Sequence, residues 1–402
     1  MSNLRILVVG ASIAGPTVAY WFAKIGATVT VIERFPQMRT SGHNVDIRTV
    51  GVSVMRKMPG LEDAVRDNLM PIEGISLVGD DGRPYGIMRA TGNSDQQSLV
   101  SEYEILRGNL SCIISDLTKN YDKIKYVYGE QIASMQQDEQ GGGPVTVEFL
   151  NGLPTSTYDL VVACDGATSR TRAIGLGCGV RDHILPINSW AVYFTINKDL
   201  LNGSQIAQAH SIPGGRFFGI GPDLTGVTRA VLMGTNPRNA PDAVQDFREA
   251  NKLGPEALKK YVAQYYKGAS EMVQVKPPTL HNGRFVLVGD AGYAPGPVGT
   301  GTSLALAGAY ILAGEIGKHP GDLAIGLREY EEKMRPLITE MQKIPSLVPA
   351  IMAPQSAWVI WLRNQIFAII CWSKLPGILR KFSGGAFAHS DDFKLPEYEW
   401  AT

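Results

Sequence analysis

The first 33 residues carry a pattern that few folds accommodate. Leu4–Val9 is an apolar run of the kind a strand buried on both faces needs. Gly10-Ala11-Ser12-Ile13-Ala14-Gly15 then turns into a helical stretch reaching about Ile25, and Val29–Ile32 reads as a second strand ending in Glu33. In this context the small residues have separate tasks. Gly10 allows the tight turn, Ser12 is a small residue beneath a pyrophosphate, and Gly15 lets helix and strand pack closely. Glu33 falls where an acid bonds a ribose 2′-hydroxyl, and it disfavours a 2′-phosphate. The site therefore reads as one for FAD or NAD rather than NADP.

Two later stretches repeat the logic of a buried strand ending in acid and glycine. Tyr158–Arg172 runs YDLVVACDGATSRTR, with Asp165-Gly166 at the strand end. Arg284–Leu312 opens on the strand Phe285–Val288, turns at Gly289-Asp290, and enters a loop with glycine or proline at 292, 295, 296, 297, 299 and 301. A small-residue helix follows from about Thr302. Such a junction gathers free N–H groups and the positive end of a helix dipole, which suits an electron-rich or anionic ligand.

Between these stretches the periodicity changes. Residues 50–69 look helical, and Ile75–Val78, Tyr85–Met88 and Leu99–Glu102 alternate as short strands. Ile105–Thr118 reads as a helix with Arg107 in its first turn. Tyr126–Gly129, Gln131–Gln136 and Val145–Phe149 form a meander. Trp190–Ile196, Ala207–Ile212, Arg216–Ile220 and Thr228–Met233 alternate again, followed by helices at about 242–253 and 255–266. The expected fold is α/β: a Rossmann-like cofactor domain interleaved with a mixed β-sheet substrate domain, closed by a C-terminal bridging helix. The cofactor domain would comprise 1–73, 100–178 and 276–345. The sheet domain would comprise 74–99 and 179–275, and 346–402 would be the helical tail.

Composition removes other classes. Lys+Arg and Asp+Glu both number 38, so no basic surplus points to nucleic acid. The four cysteines (Cys112, Cys164, Cys178, Cys371) contain no CxxC pair, which argues against a zinc site or a redox-active dithiol and fits a reducing compartment. The N-terminal apolar stretch is too short and Gly-broken for a signal peptide, and the chain reads as cytoplasmic. Trp358–Leu362 and Ile366–Trp372 are interrupted by Arg363-Asn364-Gln365, short of the ~20 apolar residues of a membrane span. Peripheral membrane attachment is the minority reading of that tail.

GASIAG with Glu33, DLVVACDGATSRTR and GRFVLVGDAGYAPGPVGTGTS together resemble the FAD-dependent aromatic hydroxylases, single-component flavoprotein monooxygenases similar to para-hydroxybenzoate hydroxylase. Ser41–Arg48 (SGHNVDIR), read as a loop returning across the cofactor, and the apolar tail look closest to the tetracycline- and polyketide-hydroxylating branch. The resemblance implies FAD held by Gly10, Ser12, Ala14, Gly15, Glu33, Arg34, Arg48, Arg107, Asp165, Gly166 and Asp290. The backbone of Pro297, Gly299, Thr300 and Gly301 would lie along the isoalloxazine. It also implies NAD(P)H as a transient co-substrate, O2, and a flavin C4a-hydroperoxide that oxygenates an aromatic or polyketide-like substrate by hydroxylation or epoxidation.

In one place the chain departs from the family, which usually reads Gly-Asp-Ala-Ala-His where this chain has Gly289-Asp290-Ala291-Gly292-Tyr293. A tyrosine does not titrate near neutrality. Residues expected to face the substrate are Tyr293, His210 and Arg216, with His43, Arg48 and Tyr193 as further candidates. Three alternatives stay open: an oxidase or cyclase of the same fold, a nicotinamide-only dehydrogenase, and a protein that binds flavin or a metabolite without turnover. Monomer and homodimer are both compatible with the sequence.

Overall fold

The computed structural model describes residues 3–40, 42–89, 100–137, 143–236, 244–254, 256–257, 260, 270–296, 299–343, 351–373 and 393–400. Its central layer is a six-stranded sheet. In spatial order the strands are His281–Asn282, Phe285–Leu287, Leu160–Ala163, Arg5–Val9, Thr28–Glu33 and Ile124–Tyr128. All pairings are parallel except that of the edge strand His281–Asn282.

The reason for a continuous apolar run at Ile6–Val9 is visible in the packing. Side chains alternate across a strand. Ile6 and Val8 therefore join the core beneath the helices Ala14–Lys24 and Gly301–Lys318. Leu7 and Val9 join a second core against the three-stranded meander Ile132–Gln136, Val145–Phe149 and Ser156–Tyr158. The Gly301–Lys318 helix is buried along almost its whole length, and Trp21 meets Tyr310 edge-on at 4.8 Å between ring centroids.

A seven-stranded sheet forms the other layer, in the order Ser270–Val275, Ile184–Ile196, Thr228–Thr235, Arg216–Pro222, Ile206–Ile212, Gly74–Val78 and Pro84–Arg89. A small ribbon lies apart from both sheets. Asn44–Asp46 pairs antiparallel with Glu104–Leu106, placing Asp46 opposite Glu104.

Several expectations are corrected here. The segment before Arg48 is a paired strand rather than a free loop, because Glu104–Leu106 offers it a hydrogen-bonding edge. That partner strand lies at Glu104–Leu106, not at Leu99–Glu102, of which residue 99 lies outside the described residues. Residues 50–69 divide into the helices Val50–Arg56 and Leu61–Arg66, separated at Gly60 with φ 81°. Gln245–Lys252 is helical, whereas the helix expected at 255–266 falls mainly outside the described residues.

Among the described residues of the tail, Ala357–Trp372 is a continuous helix, packed chiefly on the Pro84–Arg89 and Ile206–Ile212 strands. Residues 393–400 are neither helix nor strand and return to the central layer. There Tyr398 donates to Glu315, Pro396 accepts from the Tyr310 hydroxyl, and Trp400 packs 4.5 Å from Trp21. Among the described residues no helix is long and apolar enough to cross a membrane.

Candidate active site

Sheet order determines where the polar signals meet. Phe285–Leu287, Leu160–Ala163, Arg5–Val9 and Thr28–Glu33 are consecutive neighbours. Asp290, Asp165, Gly10 and Glu33 lie at or just past their C-terminal ends, so signals far apart in sequence form one row. This is the crevice where open α/β sheets bind ligands. The row lines a cavity of about 2620 Å³ that extends to the seven-stranded sheet.

Local geometry explains the small residues. Gly10 has φ 108°, and a Cβ there would lie 2.5 Å from the Cys164 carbonyl oxygen. Gly15 is not part of the cavity wall. A Cβ on it would come within 1.8 Å of the Gly10 carbonyl oxygen, so its role is to let the helix seat against the turn. Ser12 and Ala14 line the cavity. One Glu33 carboxylate oxygen accepts from the Ala11 N–H at 2.9 Å and the other from the Phe35 N–H at 3.1 Å, which holds the acid at the rim.

Three arginines line the cavity beside Glu33. Arg34 and Arg39 flank the Phe35 ring, with guanidinium carbons 4.9 and 4.8 Å from its centroid, and Arg107 opens the helix Arg107–Thr118. Burial and then the charge of Arg107 work against the charge of Arg39, and a bound anion would relieve both. Sequence reading missed Arg39, which sits in an unpatterned loop.

Asp165 accepts from the Ser169 hydroxyl and from both the N–H and the hydroxyl of Thr171. Burial still raises its pKa. Asp290 also faces the cavity, its pKa raised by burial and opposed by Arg107. Fully buried Arg172 joins the two acid-bearing loops, donating to the carbonyls of Ala291 (2.7 Å), Ala167 (2.9 Å) and Val180 (2.8 Å).

These elements have counterparts in known proteins. The FAD binding domain family matches residues 3–342. Monooxygenase CTB7 of Cercospora beticola is 30% identical, covering 99% of this chain and 98% of its own. Flavin-dependent monooxygenase eupH of Phoma sp is 31% identical over 99% and 98%. The crystal structure of tetracycline destructase Tet(55) superposes with a TM-score of 0.75 at 28% identity, covering 99% of each chain. Klebsiella pneumoniae HpxO complexed with FAD and uric acid shares the fold, with a TM-score of 0.67 at 19% identity over 96% and 97%.

The chain belongs to the FAD-dependent aromatic hydroxylase family.

The residues present fit FAD. A turn that a side chain at Gly10 would obstruct, a rim carboxylate and three convergent arginines supply what an adenosine pyrophosphate needs. Gly166, Gly296, Gly299 and Gly301 line the wall beyond, where the helix Gly301–Lys318 begins. Pro297 lies outside the described residues. Thr300 is turned away, its hydroxyl donating to the Met341 carbonyl at 3.1 Å. Arg48 is also withdrawn from the wall, its guanidinium engaged by Asp46 at 2.9 and 3.1 Å.

The three residues expected to be catalytic are not at the cavity. Tyr293 is 1% exposed and its hydroxyl lies 3.2 Å from that of Tyr330, because the preceding helix start packs inward. His210 is directed by strand alternation to the other side from Ala209, where Nδ1 lies 3.0 Å from the Val78 carbonyl and Nε2 3.3 Å from Asp80. Arg216 folds back onto the Pro213 carbonyl.

His43 and Tyr193 do line the cavity, stacked at 4.5 Å between ring centroids. Burial, and then the charge of Arg107, pulls the His43 pKa down to about 4, which leaves the imidazole neutral at pH 7. Asn44, Asp46 and Glu104 line the wall as well, though nothing in the sequence singled out Glu104.

Proposed function

We propose that this flavoprotein uses NAD(P)H and O2 to hydroxylate or epoxidise an aromatic or polyketide-like small molecule. The observation that carries this reading is the continuity of the cavity. From the glycine-rich wall it passes without a partition to a face of the seven-stranded sheet lined by Ala191, Tyr193, Ala209, Phe217, Val231 and Met233. That surface is apolar and broad, suited to flat fused rings. The tetracycline destructases and fungal monooxygenases to which the chain is similar support a substrate of this class.

The central layer is read as the FAD-binding domain and the seven-stranded sheet as the substrate domain. Bound FAD supplies hydride acceptance and oxygen activation. The chain supplies position and a dry wall. Glu33 and Gly10 orient the nucleotide half, Arg34, Arg39 and Arg107 neutralise its phosphates, and Asp290 bonds the ribityl or pyrophosphate portion.

Anaerobic mixing of FAD-loaded protein with NADPH and then NADH tests the proposal. The visible flavin band is followed with and without a panel of phenols, naphthols and anthraquinones. The expected result is bleaching accelerated by a panel compound, then recolouring on admission of oxygen with a product heavier by one oxygen atom. Oxygen consumption yielding peroxide but no oxygenated product from any compound, or no bleaching with either nicotinamide, would refute it.

A further inference from the structure

The ribbon of Asn44–Asp46 and Glu104–Leu106 stands where the glycine-rich wall meets the substrate sheet. Asp46 lies opposite Glu104 in its register, and Asn44, Asp46 and Glu104 all line the cavity. The two acids are held differently. Asp46 Oδ2 accepts from Arg48 Nε and Nη2, and it abuts the wall so closely that a Cβ on Gly299 would be 3.2 Å away. Glu104 Oε1 accepts from the Asn44 amide, and among the described residues Glu104 forms no ion pair. An acid with no direct ion pair, beside a second acid that has one, is arranged to hold a proton and release it.

We propose that Glu104 accepts the proton of a phenolic or enolic hydroxyl on the substrate, with Asp46 and Asn44 as positioning residues. The inference rests on the monooxygenase reading and narrows it to substrates whose ring carries an ionisable hydroxyl. In this step the substrate O–H bond breaks, and the proton passes to Glu104 Oε2. The electron pair stays on the substrate oxygen, enriching the ring for attack on an electrophilic oxygen, and nothing is oxidised or reduced.

Burial, and next the charge of Asp46, pushes the Glu104 pKa up to about 7, against the Asn44 hydrogen bond and the charge of Arg48. Those are the groups that face it, with neutral His43 next to Asn44 along the strand. A carboxyl with that affinity is matched to phenols that ionise near neutrality.

The first measurement is an infrared pH titration of the FAD-loaded protein with labelled glutamate, comparing wild type with E104Q and D46N. The expected result is a carboxyl titrating near neutrality, absent in E104Q and moved to lower pH in D46N, where Asp46 no longer repels the glutamate charge. A purely structural Glu104 would titrate with the ordinary carboxylates and would not respond in this way.

The second uses alizarin, a dihydroxyanthraquinone whose visible band reports its ionisation. The expected result is that bound alizarin ionises at least about tenfold less readily in E104Q than in wild type, a shift of at least about one pH unit. Equal ionisation in both overturns the proposal. So does a Glu104 carboxyl already ionised at about pH 5, whether or not alizarin binds. Failure of NAD(P)H to bleach the flavin would sink the monooxygenase reading by a separate signal and leave the titration result intact.

Discussion

Substituting Gly15 by alanine separates a residue that touches the ligand from one that shapes the surface touching it. The added Cβ would lie 1.8 Å from the Gly10 carbonyl oxygen and 3.0 Å from its carbon, where contacts under 3.0 Å are essentially never seen. The obstacle is backbone, which cannot rotate away as a side chain would. Either the helix Ala14–Lys24 moves off the sheet or the turn at Gly10 shifts by roughly 1 Å, and both routes belong to the overpacking range of about 1–3 kcal/mol. The helix lies against the Gly301–Lys318 helix, so its displacement loosens the core. The turn lines the cavity, so its displacement spoils the phosphate cradle. The strain is therefore expected to divide between lower stability of the FAD-free protein and weaker FAD binding, about tenfold in Kd for each 1.4 kcal/mol that falls on the cradle.

Urea denaturation of FAD-free protein measures one share, and titration with FAD, followed by quenching of its fluorescence, measures the other. Ser12→Ala is the control: it lies on the cavity wall with its Cβ already accommodated, and its stability is expected to change by less than about 0.5 kcal/mol. Wild-type urea midpoint together with wild-type FAD affinity in Gly15→Ala would refute the packing account.

Arg172→Met leaves the carbonyls of Ala291, Ala167 and Val180 without their shared donor. It is expected to cost roughly 3 kcal/mol in urea denaturation and to weaken FAD retention, since it unties the Asp165 loop from the Asp290 loop. Tyr293→Phe removes one hydroxyl contact, to Tyr330, and is expected to lower stability by about 1 kcal/mol with an unchanged visible flavin spectrum. Loss of FAD in that variant would contradict the inward placement of the tyrosine. His43 has a folded pKa of about 4, below its ordinary 6.5. Its contribution is fully present above pH 6.5 and is lost as pH falls through about 4. Between about pH 7 and about pH 5 this amounts to about 2 kcal/mol at most, and His43→Gln is expected to remove that part of the pH dependence of the urea midpoint.

The legible parts of the sequence were those where local chemistry and long-range geometry coincide. Gly10, Asp165 and Asp290 each follow an apolar β-branched run, and parallel strands with adjacent ends bring such signals together whatever the intervening length. Substrate-facing residues follow no comparable rule. His210 and Arg216 lie on strands of the correct sheet, but a period of two puts half of any strand's side chains on the far face, and the sequence does not say which half. Tyr293 was drawn in by its place in a motif, whereas its surroundings are set by space beside Gly308, where a Cβ would sit 1.9 Å from its hydroxyl.

The ribbon was harder to read, because strands of three residues carry too little periodicity to register. Asp46 and Glu104 become a pair only through a cross-strand register that neither segment encodes alone. Arg48 illustrates the consequence. Read singly it is a cation next to a cofactor loop. Read with its partner it is the counter-charge that opposes the burial of Asp46, whose pKa is nonetheless raised, while Glu104, among the described residues, has no such direct contact. The charge that matters for chemistry at this wall is thus set two residues away from the arginine, across a pairing that only the fold reveals.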